Sequence, residues 1–555
     1  MASTKKRTEI ENEFKWKLED IYPEETSWEN DYQQLKTLIE EVNKYQGTLG
    51  KSAGDLLQVL QLLEKIERIA EKLYVYAKMR RDEDNANSYY QTLFDRAESI
   101  SIQLSSATSY IIPEITEIET NKIETFLQEN QDLAVYKHFF DELLRQKEHI
   151  LSQQEEKILA MSADLSIASQ NVFTMFNNAD IKFPVIKDET GNDIEITKGN
   201  YGRLMESSDR RVRKETFQGL YSSYTKFKNT LAATLGSSVK KNIFYTRVRK
   251  YPSALAASLD QDNISSEVYH NLIAIMHKNM DYMYRYMNLR RKMLGVDELH
   301  MYDIYTPLVK EFKMNVPYDK AKQMVVEGLK PLGEEYVSKL SAGMEAGWID
   351  VYENEGKTSG AYSWGAYDTH PYVLMNYDNK LDDAFTLAHE MGHSMHTYYS
   401  NQVQPYIYSQ YTIFLAEVAS TVNESLLIDH LLKTSQNEQE KMYLINHYLE
   451  QFRGTVYRQT MFAEFEKIIH EKVEQGGALT PEELCSIYRD LNRQYYGPGV
   501  ILDNEIDMEW ARIPHFYSAF YVYKYATGFS AATAFKEQIL NEGDSAVARY
   551  LEFLK

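Results

Sequence analysis

A chain of 555 residues with 43% hydrophobic residues is long enough to bury a large core, and its length favours two or more lobes over one compact domain. Its 61 Lys and Arg against 82 Asp and Glu give a formal net charge of −21, so phosphate backbones and anionic lipid surfaces are poor partners and nucleic-acid binding is not expected. Cys485 is the single cysteine, which rules out an intrachain disulfide and suits a reducing compartment. The start, MASTKKRTEIENEFKWKLEDIYPEE, has a basic cluster without the apolar run of a secretory signal, and no stretch approaches the roughly eighteen apolar residues of a membrane span. The expected location is the cytoplasm, with no membrane partner.

From about Ser52 to Ser162, leucines and isoleucines recur at three- and four-residue spacing, which predicts successive amphipathic helices in an antiparallel lobe. The segment Ile181–Thr197 has apolar residues at strand spacing around Thr190-Gly191-Asn192-Asp193, turn chemistry that predicts a β-hairpin and a change of lobe near residue 200. Residues 1–200 are therefore read as an N-terminal helical lobe ending in a hairpin, and 201–555 as a second domain. Helical periodicity runs from Asp209 to about Met293 and again from Tyr318 to Met344, with LGVDELHMYDIYTPL as a connector. No fixed-period repeat is evident. Tyr372-Val373-Leu374-Met375 reads as a strand, and Thr480-Pro481-Glu482-Glu483 as a helix start with Thr as N-cap and Glu as its capping-box partner. The fold class predicted is mainly α, with a small β-sheet beside the chemistry.

The chemistry lies in LDDAFTLAHEMGHSMHTYYS, where Asp382 or Asp383 can cap a helix whose first turn begins at Ala384. Residues four apart on a helix share a face, so His389 and His393 can direct two imidazole nitrogens at one ion. Glu390 lies about 100° round the helix from His389, close enough to act as a base on water at the metal without becoming a ligand. With 13 histidines in the chain, an H-E-x-x-H match by chance is expected roughly 0.03 times, against which stands a helix whose histidines merely cap polar groups.

A catalytic zinc needs a third protein ligand. Downstream, Glu417 sits among Leu415, Ala416, Val418 and Ala419, an apolar run in which a carboxylate is expensive to bury unless paired or metal-bound. A third histidine on the metzincin pattern would require Gly at 396 and His at 399, where this chain has His396 and Tyr399. His396 is left to support a ligand or to pack. Glu424, two turns beyond Glu417, either accepts the other ring N–H of a zinc histidine or is a solvated helix carboxylate.

HEMGHSMH followed by Glu417 within FLAEVAST resembles the thimet-type oligopeptidases, and specifically their oligoendopeptidase F branch. WKLEDIYPEETSWE, LRRKMLGVDELHMYDIYTPL, SGAYSWGAYDTHPYVLMNY, RGTVYRQTMFAEFE and GPGVILDNEIDMEWARIPHFYSAFYVYKYATGFSAA extend the resemblance over nearly the whole chain. It implies two helical lobes enclosing a substrate channel, a catalytic domain over 201–555, one Zn2+ per chain and cleavage restricted to oligopeptides. By motif position it implies His389, His393 and Glu417 as zinc ligands and Glu390 as base. It also implies a His and Tyr cluster facing the zinc, here His515 with Tyr517, Tyr521 and Tyr525 on one helix face, whereas Tyr523 reads as packing. Where this chain ends in RYLEFLK, the family continues with a further helical segment.

The mechanism this predicts is hydrolysis of internal peptide bonds by a zinc-bound water that Glu390 deprotonates, the same carboxyl then protonating the leaving amine. His515, Tyr521 and Tyr525 would donate to the developing oxyanion, Tyr517 would help bind substrate, and Tyr372, Val373 and Leu374 would pair with its extended backbone. An exopeptidase on the same metal site would need groups for a free terminus, which the sequence does not offer. A peptide-binding scaffold with a vestigial site would not need all four chemical residues intact.

Overall fold

The computed structural model describes residues 5–309 and 314–555; the first four residues of the basic start and 310–313 lie outside them. The chain forms two compact units, Met1–Lys147 with Lys313–Thr434 and Ala531–Lys555, and Glu148–Phe312 with Ser435–Ser530. The division at residue 200 is one of sequence. Packing instead passes the chain between units four times, and the hairpin near residue 190 lies inside the second unit.

In the first unit the apolar periodicity becomes helices α1 (Glu25–Val42), α2 (Ala53–Glu83) and α3 (Ser88–Thr108). Ser52 caps α2 by accepting from the backbone N–H of Asp55 at 3.1 Å, and the Asn87 side chain caps α3. Their apolar faces share one core in which Trp28 stacks on Tyr32. That core continues into Tyr372 and Leu374.

These two residues belong to a three-stranded sheet of β1 (Ile349–Asp350), β2 (Tyr362–Trp364) and β3 (Tyr372–Leu374), ordered β1-β3-β2. β3 pairs in parallel with β1 and antiparallel with β2, in the register Ser363 to Val373. The central strand is thus spoken for on both edges, and Tyr372, Val373 and Leu374 are fully buried. This corrects the expectation that they pair with a peptide: their backbone groups are already used and their side chains are core. The edge left unpaired within this sheet beside the site belongs to β2.

Beyond the sheet, α4 (Tyr318–Gly328), α5 (Leu381–Val403) and α6 (Ile413–Thr434) pack on one another, and α5 also lies against β2. α6 is buried nearly all round from Val418 to Ile428, enclosing Ser420, Thr421, Asn423 and Ser425 along with its apolar residues.

The second unit is helical through Arg210–Thr225, Lys228–Val248, Ser266–Lys278, Met280–Leu294, Glu438–Gln451, Arg458–Glu474 and Pro481–Tyr496. The expected hairpin is present as Val185–Lys187 paired with Asp193–Glu195, its turn held by Asp188 accepting from the N–H groups of Thr190 and Asn192 and by Gly191 at φ +85°. Thr480 caps the helix at Pro481 as predicted, but Glu483 pairs with Lys472. Buried at the centre of this unit, Glu509 binds Arg458, Arg512 and Tyr488. No helix among the described residues is long and apolar enough to cross a membrane.

Candidate active site

α5 begins three residues earlier than Ala384, because Asp383 reaches back from its third position. Its carboxylate accepts from the backbone N–H groups of Asp378 at 2.8 Å and Lys380 at 2.9 Å, satisfying donors that a helix start otherwise leaves open. The helix then runs unbroken through the motif and sets His389 and His393 on one face.

His389 Nε2 lies 3.2 Å from His393 Nε2 and 3.4 Å from Glu417 Oε2, which is 3.8 Å from His393 Nε2. Donors bound to one zinc at about 2.0–2.1 Å with tetrahedral angles stand about 3.3–3.4 Å apart, so this triangle fits such an ion. It is the only group of three metal-ligating side chains that could hold one ion among the described residues. Glu417 is less enclosed than its apolar neighbours suggest: its side chain keeps 37% of its exposure, in the first turns of α6 ahead of the buried run that starts at Val418. The donor set is therefore open on one side, as a catalytic site requires and a structural zinc site does not.

Both imidazoles are oriented from behind. His389 Nδ1 is hydrogen-bonded to Glu424 on α6, and the His393 ring hydrogen-bonds the backbone of Ala416. Of the two readings of Glu424, the structure gives the carboxylate–histidine pair. Burial disfavours an imidazolium at His389, but Glu424 overrides it and lifts the ring to about 9. Burial and then the charge on His389 push His393 down to about 3, so His393 presents a free lone pair at neutral pH.

Glu390 is buried beside the triangle without joining it. Burial pushes its carboxyl up to about 7, helped by Glu417 and Glu424 and opposed by His389, and the backbone of Ser363 on β2 hydrogen-bonds it. A carboxyl with a pKa near neutrality can both take and return a proton. His396 packs: it stacks on Tyr411 at 3.6 Å, its Nδ1 has no partner among the described residues, and burial drives it down to about 4.

In the second unit, residues 514–525 do not form one helix. A 3-10 turn, Pro514–Tyr517, is followed by Phe520 in the left-handed region at φ +56°, and the helix starts only at Tyr523. Tyr517, Tyr521 and Tyr525 therefore do not share a face. Tyr517 is buried, stacks on Phe173 at 4.4 Å and hydrogen-bonds Thr234 at 2.8 Å, which commits it to packing and corrects its expected role in substrate binding. His515, Tyr521 and Tyr525 do gather, with Tyr521 parallel to His515 at 6.0 Å and edge-on to Tyr525 at 5.4 Å. Tyr523 is core, against Tyr269.

Sequence reasoning missed Ser363, Asn423 and Gly392. Asn423 Nδ2 donates to the Ala388 carbonyl at 3.1 Å and its Oδ1 accepts from Tyr336 at 3.0 Å, tying α6 to α5 at the residue just before His389. Nothing in the local pattern marks it, since Ser420, Thr421, Glu424 and Ser425 around it are polar as well.

The fold and this donor set are those of a metallopeptidase. The profile of peptidase family M3 matches residues 203–555 and that of oligopeptidase F matches 114–183. Oligopeptidase PepF of Bacillus subtilis (strain 168) is 50% identical over 549 residues, spanning 99% of this chain and 82% of that protein. An oligoendopeptidase F homolog of Lactococcus lactis subsp. lactis is 43% identical over 99% of this chain and 92% of its own. Among crystal structures, oligoendopeptidase-F of Enterococcus faecium superposes with a TM-score of 0.73 at 39% identity, covering 96% of this chain and 91% of that one. A Chlamydophila abortus protein gives a TM-score of 0.92 at 36% identity, over 100% of this chain and 93% of that one. The chain belongs to peptidase family M3 and is a metalloendopeptidase.

Proposed function

We propose that the protein is a zinc endopeptidase that hydrolyses internal bonds of short peptides in the cytoplasm, with His389, His393 and Glu417 as ligands and Glu390 as general base. The observation that carries this reading is the donor triangle of 3.2, 3.4 and 3.8 Å beside a buried, near-neutral carboxyl. Zinc held there would supply Lewis acidity that acidifies water and polarises a carbonyl. Glu390 then takes a proton on its carboxylate from the attacking water and delivers it to the leaving amine. Glu424 keeps His389 oriented through Nδ1 during this exchange.

His515, Tyr521 and Tyr525 are assigned as hydrogen-bond donors to the carbonyl oxygen as charge develops on it. For the peptide backbone, the unpaired edge of β2 replaces the buried β3 as the pairing strand, since Ser363 lies on it next to Glu390. Short peptides as substrates rest on the relatives named oligopeptidases and oligoendopeptidases. Backbone pairing needs no free terminus.

The test is zinc analysis of the wild type and of the His389→Ala, His393→Ala and Glu417→Ala variants, with a product map of one peptide in free and doubly blocked forms. One zinc per chain, lost with activity in the variants, and internal cleavage of the blocked peptide are expected. Full zinc in all three variants would refute the ligand set, and loss of cleavage on blocking would indicate an exopeptidase.

A further inference from the structure

The two helices that carry the metal donors cross at Gly392. A Cβ built on Gly392 would lie 2.5 Å from Ser420 Cα, 2.8 Å from Ser420 N and 2.8 Å from the Ala419 carbonyl oxygen. All three are backbone atoms of α6, so no rotamer change relieves the contact. Gly392 immediately precedes His393 and follows His389 by three residues, while Ser420 follows Glu417 by three. Ser420 itself donates to the Glu417 carbonyl at 3.0 Å and approaches Glu417 Oε2 at 3.3 Å. Asn423 adds its clasp from α6 to the Ala388 carbonyl at the same crossing.

We propose that Gly392 and Asn423 are positioning residues that set the separation and register of α5 and α6, and through them whether Glu417 reaches an ion held by His389 and His393. This rests on the metal reading above. Moving the nearest atom from 2.5 Å to the 3.4 Å of ordinary contact asks for a shift of about 0.9 Å in α6 relative to α5. Metal–ligand bonds tolerate displacements of only about 0.2 Å, and a packed interior passes a wedge on to its neighbours instead of absorbing it. The site thus depends on a residue that contributes no donor atom.

A matched control is built into the same helix. A Cβ on Gly328 of α4 would lie 3.0 Å from Leu427 Cα, ten residues along α6 from Glu417 and thus about 15 Å along its axis. Gly328→Ala strains the packing of α6 about one turn beyond Asn423 and Glu424 and about three turns beyond Glu417, and leaves the crossing at Gly392 without a wedge.

The experiment measures the zinc dissociation constant by chelator competition and the thermal midpoint of the zinc-free protein, for wild type, Gly392→Ala, Gly328→Ala and Asn423→Ala. Gly392→Ala is expected to raise the dissociation constant at least about tenfold, the size typical of lost support around a metal site. Gly328→Ala is expected to lower the midpoint while leaving zinc affinity within about twofold. Wild-type affinity in Gly392→Ala, or an equal loss in Gly328→Ala, overturns the proposal. Should Gly392→Ala not fold, Asn423→Ala decides, because it opens the crossing without a wedge: a severalfold weaker affinity supports the proposal and an unchanged one overturns it. His389→Ala separates the two levels. If it binds zinc as the wild type does, the metal reading itself has failed, whereas zinc loss there with unchanged affinity in Gly392→Ala defeats only the positioning role.

Discussion

Glu424 on α6 holds the Nδ1 side of His389, which leaves Nε2 facing His393 and Glu417. A carboxylate in this place fixes the tautomer of a ligating imidazole and raises its basicity. Glu424→Ala is therefore expected to weaken zinc binding by about 10–100-fold while leaving all three donors in place. Glu424→Gln, which still offers a carbonyl oxygen, is expected to lose less. Chelator competition on the two variants checks this, and wild-type affinity in Glu424→Ala would show that the pair is incidental.

Glu390 is the group whose removal separates metal binding from catalysis. It is buried beside the donor triangle but outside it, so Glu390→Gln is expected to retain one zinc per chain and lose at least about 10²–10⁴-fold in kcat. Metal analysis and peptide turnover on the same preparation read both quantities. Turnover near the wild-type rate would remove Glu390 from the mechanism.

What the sequence made legible was whatever depends on neighbours along one helix. The shared face of His389 and His393, the place of Glu390 and the helical runs follow from periodicity alone. The role of Tyr372–Leu374 did not, since a short apolar strand reads the same at the edge of a sheet as at its centre, and β1 and β2 come from elsewhere in the chain. Tyr517 was misplaced because spacing by four implies a common face only if the helix is continuous, and Phe520 at φ +56° breaks it. Gly392 and Asn423 act through a tertiary crossing, which leaves no mark on local pattern.

That break at Phe520 is held by an unusual partner. The Phe520 N–H donates to Glu466 Oε1 at 3.1 Å, and Glu466 is fully buried, which drives its carboxyl well above the usual range and so favours its neutral form. A neutral acid and an amide are close in shape, and both offer a carbonyl oxygen. Glu466→Gln is thus expected to cost at most about 1 kcal/mol, whereas Glu466→Ala leaves a buried N–H unsatisfied beside a cavity and is expected to cost about 2–4 kcal/mol. Urea midpoints of the two variants distinguish these outcomes. A larger loss in Gln than in Ala would mean that the charged form is the native one.

Glu509 presents the opposite electrostatics, and so predicts a pH dependence. Burial would raise its carboxyl, but Arg458 and Arg512, with the hydroxyl of Tyr488, hold it at about 2 against an ordinary value of 4.5. A carboxyl with a depressed pKa in the folded state binds protons more weakly there than in the unfolded chain. Its stabilisation is therefore complete above about pH 4.5 and is lost as the pH falls towards 2, by about 3 kcal/mol in all. Glu509→Gln removes the charge and leaves two buried guanidinium groups short of a partner, which at pH 7 is expected to cost about 3–5 kcal/mol. Below pH 4.5 the unfolded wild-type chain takes up a proton at Glu509 that the folded state resists down to about pH 2, whereas the Gln variant takes up none, so the gap between the two proteins must narrow. Every other acidic group titrates in both and cancels in the comparison. The measurement is the urea midpoint of wild type and Glu509→Gln at steps from pH 7 to pH 3; a difference that stays constant across that range would mean that Glu509 is not held ionised by its arginines.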